Sequence, residues 1–187
     1  MASISPVTTT AQGAEQTVEL GLKPSLVYDL WSNMNRAVLT FATLYSDDQV
    51  WLEQLQDMQP KAFSGKIPAH VLKRVKLFQE KLDHLDEAPK SVRSDTLLDH
   101  SLSNLLSSKN KEITPSQVYL HSGQALINMS ESILYKSSSP IEISSFFKEN
   151  NIIEKTPSDV FGLVDLAIRR IDAITARSNN TPLIVKD

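Results

Sequence analysis

Apolar residues recur along this chain in steps of four and three. One series runs through Val27, Trp31, Met34, Val38 and Phe41. A second holds Val71, Val75, Phe78, Leu82 and Leu85, and a last one Val160, Val164, Ala167, Ile171 and Ile174. Between them a weaker series, Val118, Ala125 and Met129, is interrupted by Ser122. Steps of four and three put side chains on one face of an α-helix, and an apolar face has to be covered by another. The pattern predicts an all-α fold, a helical bundle of four long helices with shorter connecting helices.

Each series is announced by the same signal: a proline, a small residue, and a valine three residues after the proline. The four copies are Pro24-Ser25-Leu26-Val27, Pro68-Ala69-His70-Val71, Pro115-Ser116-Gln117-Val118 and Pro157-Ser158-Asp159-Val160. Three continue with an aromatic, Tyr28, Tyr119 and Phe161, and the prolines stand 44, 47 and 42 residues apart. Proline suits the first helical position, where its missing N–H had no partner anyway. Thr114 and Thr156 precede two of the prolines, where a hydroxyl can accept from first-turn amides. Gln117 completes a capping box with Thr114. Asp159 stands at the same place after Thr156, where its charge suits the positive helix end. The recurrence is compatible with an internal duplication pairing residues 24–110 with 115–176.

Shorter helices are expected in the connections. Ser46-Asp47-Asp48-Gln49 reads as a capping box ahead of Val50, Trp51, Leu52, Leu55 and Met58. Ser139-Pro140-Ile141-Glu142 reads likewise ahead of Ile143, Phe146 and Phe147, and a third candidate begins near Ser94 and carries Leu97, Leu98, Leu102, Leu105 and Leu106. Strand-like alternation is confined to 182–185. The resulting organisation is a flexible N-terminal arm over 1–21, one helical-bundle domain over 22–176, and a C-terminal tail over 177–187.

Composition narrows the picture. Only 5 glycines in 187 residues favour helices over a turn-rich β protein, and a 41% hydrophobic fraction suits a folded domain. The absence of cysteine excludes disulfides, thiolate zinc sites and a cysteine nucleophile. It suits an exported bacterial protein, periplasmic once a signal is removed, as well as a cytoplasmic one. A net charge of -3 does not point to nucleic acid. No apolar run is long enough to span a bilayer.

Candidate chemistry is sparse. His70, His84, His100 and His121 never fall three or four apart, so no H-E-x-x-H zinc motif is present. His84 does have Asp83, Asp86 and Glu87 nearby, and His100 follows Asp99. No phosphate-cradling glycine loop or G-x-S-x-G elbow occurs, and no cofactor is expected. The stretch from Lys61 to Lys81 is basic, with Lys61, Lys66, Lys73, Arg74, Lys76 and Lys81 against Glu80. Gly123 and Gly162 fall inside expected helices, where glycine costs about 1 kcal/mol relative to alanine. Close helix contact explains such positions. Alternatively the small residues Ser122, Gly123 and Ala125 open a pocket bordered by Tyr28, Trp31, Tyr119 or Phe161, whose aromatic rings suit a ligand site or an interface.

Within the basic stretch, Ala69-His70-Val71-Leu72-Lys73 resembles the active helix of histidine phosphotransfer domains. That resemblance covers about five residues and implies phosphoryl relay, with His70 as phosphoacceptor and Lys73 steadying the charge. The sequence departs from the family where Arg74 and Val75 replace its small residues, and Pro68 puts His70 in the first turn. The favoured reading is a non-enzymatic binding or interaction module for a protein partner or a small molecule, with homo-oligomers compatible. Phosphorelay through His70 and an enzyme with a dispersed site are the alternatives.

Overall fold

Each of the four prolines opens a helix. The computed structural model describes residues 21–85, 112–138, 140–146 and 154–180, and regular structure among them is helical throughout. The elements are α1 (Pro24–Thr43), α2 (Gln49–Asp57), α3 (Pro68–Leu85), α4 (Pro115–Lys136), a 3-10 turn (Ile143–Phe146) and α5 (Pro157–Asn180). The helix expected from Ser94, most of the N-terminal arm and residues 181–187 lie outside the described residues. α5 runs to Asn180, past the expected start of the tail at 177, and Arg177 in its last turns reaches Ser46 and Asp48.

The helix starts follow the expected chemistry. Thr114 accepts from the Gln117 amide while the Gln117 side chain accepts from the Thr114 amide, a complete capping box. Asp159 does the same work for α5, accepting from the Thr156 amide at 2.8 Å while the Thr156 hydroxyl accepts from the Asp159 amide. The Thr156 amide, and the Thr156 hydroxyl donating to the same carboxylate oxygen at 2.7 Å, hold the Asp159 carboxyl below its ordinary pKa. At α2 the expectation is corrected. Asp48 is the cap, accepting from the Trp51 amide, and Ser46 accepts from the Asp48 amide instead. The helix thus begins later, only Leu55 of its apolar residues is fully buried, and Val50 is exposed. Ser139, the cap expected for the next short helix, lies outside the described residues; Ile143–Phe146 form a 3-10 turn, whose Phe146 is buried against the core beside α1.

The four proline-led helices run parallel. Pro24, Pro68, Pro115 and Pro157, with Val27, Val71, Val118 and Val160, line one small apolar depression at a shared apex. Each proline spares an orphan N–H at this crowded end, and each valine closes the core beneath it. α1 packs on α4 and α5, and α3 packs on the same two, so α1 and α3 stand on one diagonal of a square.

Parallel helices in common register stack the core in layers. Val27, Val71, Val118 and Val160 form the first. Trp31, Val75, Ser122 and Val164 stand seven residues beyond their prolines, and Met34, Phe78, Ala125 and Ala167 ten beyond; all are buried. Val38, Leu82, Met129 and Ile171 follow, then Phe41, Leu85, Ser132 and Ile174, again all buried. In the third layer large residues stand on one diagonal, Met34 and Phe78, and small ones on the other, Ala125 and Ala167, which is how a core fills without voids. Ser122 therefore does not break the stripe. The Trp31 indole N–H donates to the Ser122 hydroxyl at 2.8 Å, and that hydroxyl donates to the Val118 carbonyl at 2.7 Å. The bulky indole needs a small neighbour with an acceptor, and Ser122 provides both. Phe78 meets the indole edge-on from the opposite corner, at 5.2 Å between centroids.

Candidate ligand-binding groove

Two lysines, each two residues ahead of a helix-opening proline, are held in the same way. The Lys66 amide donates to the Ser158 hydroxyl at 3.0 Å, and its ammonium lies 4.9 Å from the centre of the Phe161 ring. The Lys155 amide donates to the Ser25 hydroxyl at 3.0 Å, and its ammonium lies 4.7 Å from the Tyr28 ring. The small residue and the aromatic of the repeated signal thus receive the segment leading into a neighbouring helix. One hydrogen bond and one cation–π contact lock each join. Tyr28 and Phe161 thus each pack against the segment that enters a neighbouring helix at the apex.

The segment after α2 is pinned across α5. The Lys61 carbonyl oxygen lies 2.7 Å from where a Cβ on Gly162 would sit. Only glycine admits that approach, so Gly162 serves a chain crossing rather than the helix–helix contact expected for it. Phe63, two residues on, packs edge-on against Phe161 at 4.8 Å. Farther along α5, the Arg170 guanidinium is buried and donates to the carbonyls of Leu55 at 3.0 Å, Gln56 at 3.2 Å and Met58 at 3.3 Å, and to Asn35 Oδ1 at 3.0 Å. Burial pushes its pKa down to about 10, with Arg169 adding to the effect, and it remains a cation at neutral pH. Arg169 donates to the Gln59 carbonyl at 2.7 Å.

These fixings build a groove between α3 and the start of α5. It is lined by Lys66, His70, Lys73, Arg74, Lys76, Leu77, Glu80 and Phe161, and encloses about 480 Å³. That volume is within the range of small-molecule sites. Among the described residues of the lining, three lysines, an arginine and one histidine face a single carboxylate, on a chain whose net charge is negative. Arg74 is oriented by Asp165, a buried carboxylate 2.6 Å from its Nη2 that also accepts from Arg169 at 3.2 Å. Its guanidinium carbon lies 5.2 Å from the Phe161 ring centre, and its Nε has no hydrogen-bond partner among the described residues. The positive field extends to α4, where burial and the Lys76 charge lower the His121 pKa.

The residues singled out from sequence are distributed as follows. His70 and Lys73 share the groove wall. His70 is exposed, and its Nδ1 accepts from the Ile67 amide at 3.4 Å. Phe161 forms the groove floor. Trp31 is fully buried in the second core layer, and Tyr28 and Tyr119 lie half-buried against the core. A Cβ on Gly123 would meet nothing within 4 Å. Gly123 therefore marks no close contact; Tyr119 stands one turn before it on α4, Trp31 donates to its neighbour Ser122, and Tyr28 lies under the Lys155 ammonium. Among the described residues no group of three or more histidines and carboxylates is placed to hold a metal ion, and no helix is long and apolar enough to cross a membrane. Sequence reading found the basic stretch but missed the groove, because Phe161 comes from a distant segment. Comparison with protein-family models, curated proteins and solved structures finds no match.

Proposed function

We propose that this chain is a non-enzymatic binding module that takes a small anionic ligand in the groove between α3 and α5. The observation that carries the reading is the concentration of Lys66, Lys73, Arg74 and Lys76 around a cleft of about 480 Å³, opposed among the described lining residues by Glu80 alone. A concave site with low-dielectric walls focuses the field of its charges and raises the local concentration of an oppositely charged ligand. Lys73 and Lys76 are exposed and available to a solute, whereas Lys66 and Arg74 are fixed over Phe161.

Titration of the full chain with pyrophosphate, followed by amide NMR, tests the reading. Shifts should concentrate at residues 66–80 and the start of α5. The double variant Lys73→Glu, Lys76→Glu should bind at least roughly tenfold more weakly, since reversing two charges near an anion changes its energy by more than about 1.4 kcal/mol. Unchanged affinity in that variant, or shifts located elsewhere, would refute the groove as the site.

A further inference from the structure

The groove has an apolar floor beneath its cations. Phe161 packs against Phe63, and Leu77 is half-buried on the α3 wall. A lysine that lines such a wall lays its methylene stem along it and leaves its ammonium toward water. Charge thus gathers at the mouth and apolar surface lies below. A bare inorganic anion would use only the mouth. The groove as a whole, at about 480 Å³, is far larger than one phosphate requires and suits a ligand with a body of its own.

The kind of charge is informative as well. A planar carboxylate is best held by an arginine fork, but Arg74 has its Nη2 on Asp165 at 2.6 Å and its Nε buried out of reach, with the guanidinium lying over Phe161. What remains at the mouth is Lys73 and Lys76, compact point charges with rotatable donors. Two such ammoniums match a doubly charged phosphoryl group better than a single carboxylate. Resting on the reading of the groove as an anion site, we infer that its ligand is a soluble phosphate monoester with an apolar body. The phosphoryl oxygens are held by Lys73 and Lys76, and the body lies against Leu77, with Phe161 behind the Lys66 and Arg74 side chains that cover its ring.

Calorimetric titration of the full chain with 1-naphthyl phosphate, 1-naphthoate and inorganic phosphate tests this. The monoester should bind roughly tenfold or more tightly than either comparison ligand, because the naphthyl group adds buried apolar area and the phosphoryl group adds charge. Leu77→Ala should reduce the preference for naphthyl phosphate over inorganic phosphate while leaving the latter's affinity unchanged. Lys73→Glu should weaken both. Equal binding of naphthyl phosphate and inorganic phosphate would overturn the apolar body and leave the anion site standing. Equal binding of naphthoate would overturn the phosphoryl assignment. Binding to phosphatidylcholine vesicles doped with phosphatidic acid, without binding of the soluble monoester, would overturn a soluble ligand. Failure of every anion to bind would remove the site itself.

Discussion

Gly123 and Gly162 look alike in the sequence, each a lone glycine inside a helix, and the structure separates them. Gly162 is crossed by the Lys61 carbonyl at a distance no Cβ tolerates, while a Cβ on Gly123 would find open space. Gly123→Ala should therefore recover helix propensity of about 1 kcal/mol and raise the Tm by about 2–4 °C. Gly162→Ala makes the same backbone gain but forces the 60–63 segment off α5, at an overpacking cost of about 1–3 kcal/mol. Its Tm should fall below that of the wild type. Thermal unfolding of the two variants checks both signs, and a stabilised Gly162→Ala would contradict the crossing. Ser122 teaches a related lesson. In a hydropathy pattern it is a flaw in a stripe, but in the core it is the acceptor that lets Trp31 be buried. Periodicity records which positions face inward and is silent about which buried polar groups pair.

At the scale of elements, the parallel arrangement requires each helix to be followed by a return path, and α2 with the 58–67 segment is the described one. α2 has only nine residues and a single fully buried apolar side chain, too little to hold itself in place. Arg170 supplies the anchor. Its fork gathers the carbonyls of the last turn of α2, where a cation also complements the helix dipole. Arg170→Lys keeps the charge but cannot span these acceptors. Losing one or two charge-assisted hydrogen bonds should cost about 3 kcal/mol in urea unfolding. Amides of α2 should lose exchange protection before those of the four long helices. A variant as stable as the wild type would show that the clasp is incidental. The basic groove depends on the same fixings, because the 58–67 segment delivers Lys66 to its lining and packs Phe63 against Phe161.

At the scale of the molecule, much of the architecture was legible. The four proline signals mark the four helix starts, and the residues in steps of four and three are the buried ones, as Val27, Val71, Val118 and Val160 illustrate. Helix direction was not read, although the signal was present. Near-even proline spacing with helices of about half that length leaves connections long enough to return, whereas antiparallel neighbours need only short loops. The groove was half legible. His70, Lys73 and the basic stretch lie on one helix and can be read from spacing, whereas Phe161 and Asp165 arrive from a distant helix that only the fold brings near. The central claim is that the four signals meet at one apex, and a pair of distances tests it. The chain has no cysteine, so single cysteines at the exposed positions Leu26, His70 and His84 can carry spin labels. Residues 70 and 84 lie about 21 Å apart along α3 at the helical rise. Pulsed electron resonance should find the Leu26→Cys/His70→Cys distance clearly shorter than the Leu26→Cys/His84→Cys distance. The reverse order would mean that α1 and α3 run in opposite directions, and the shared apex would be wrong.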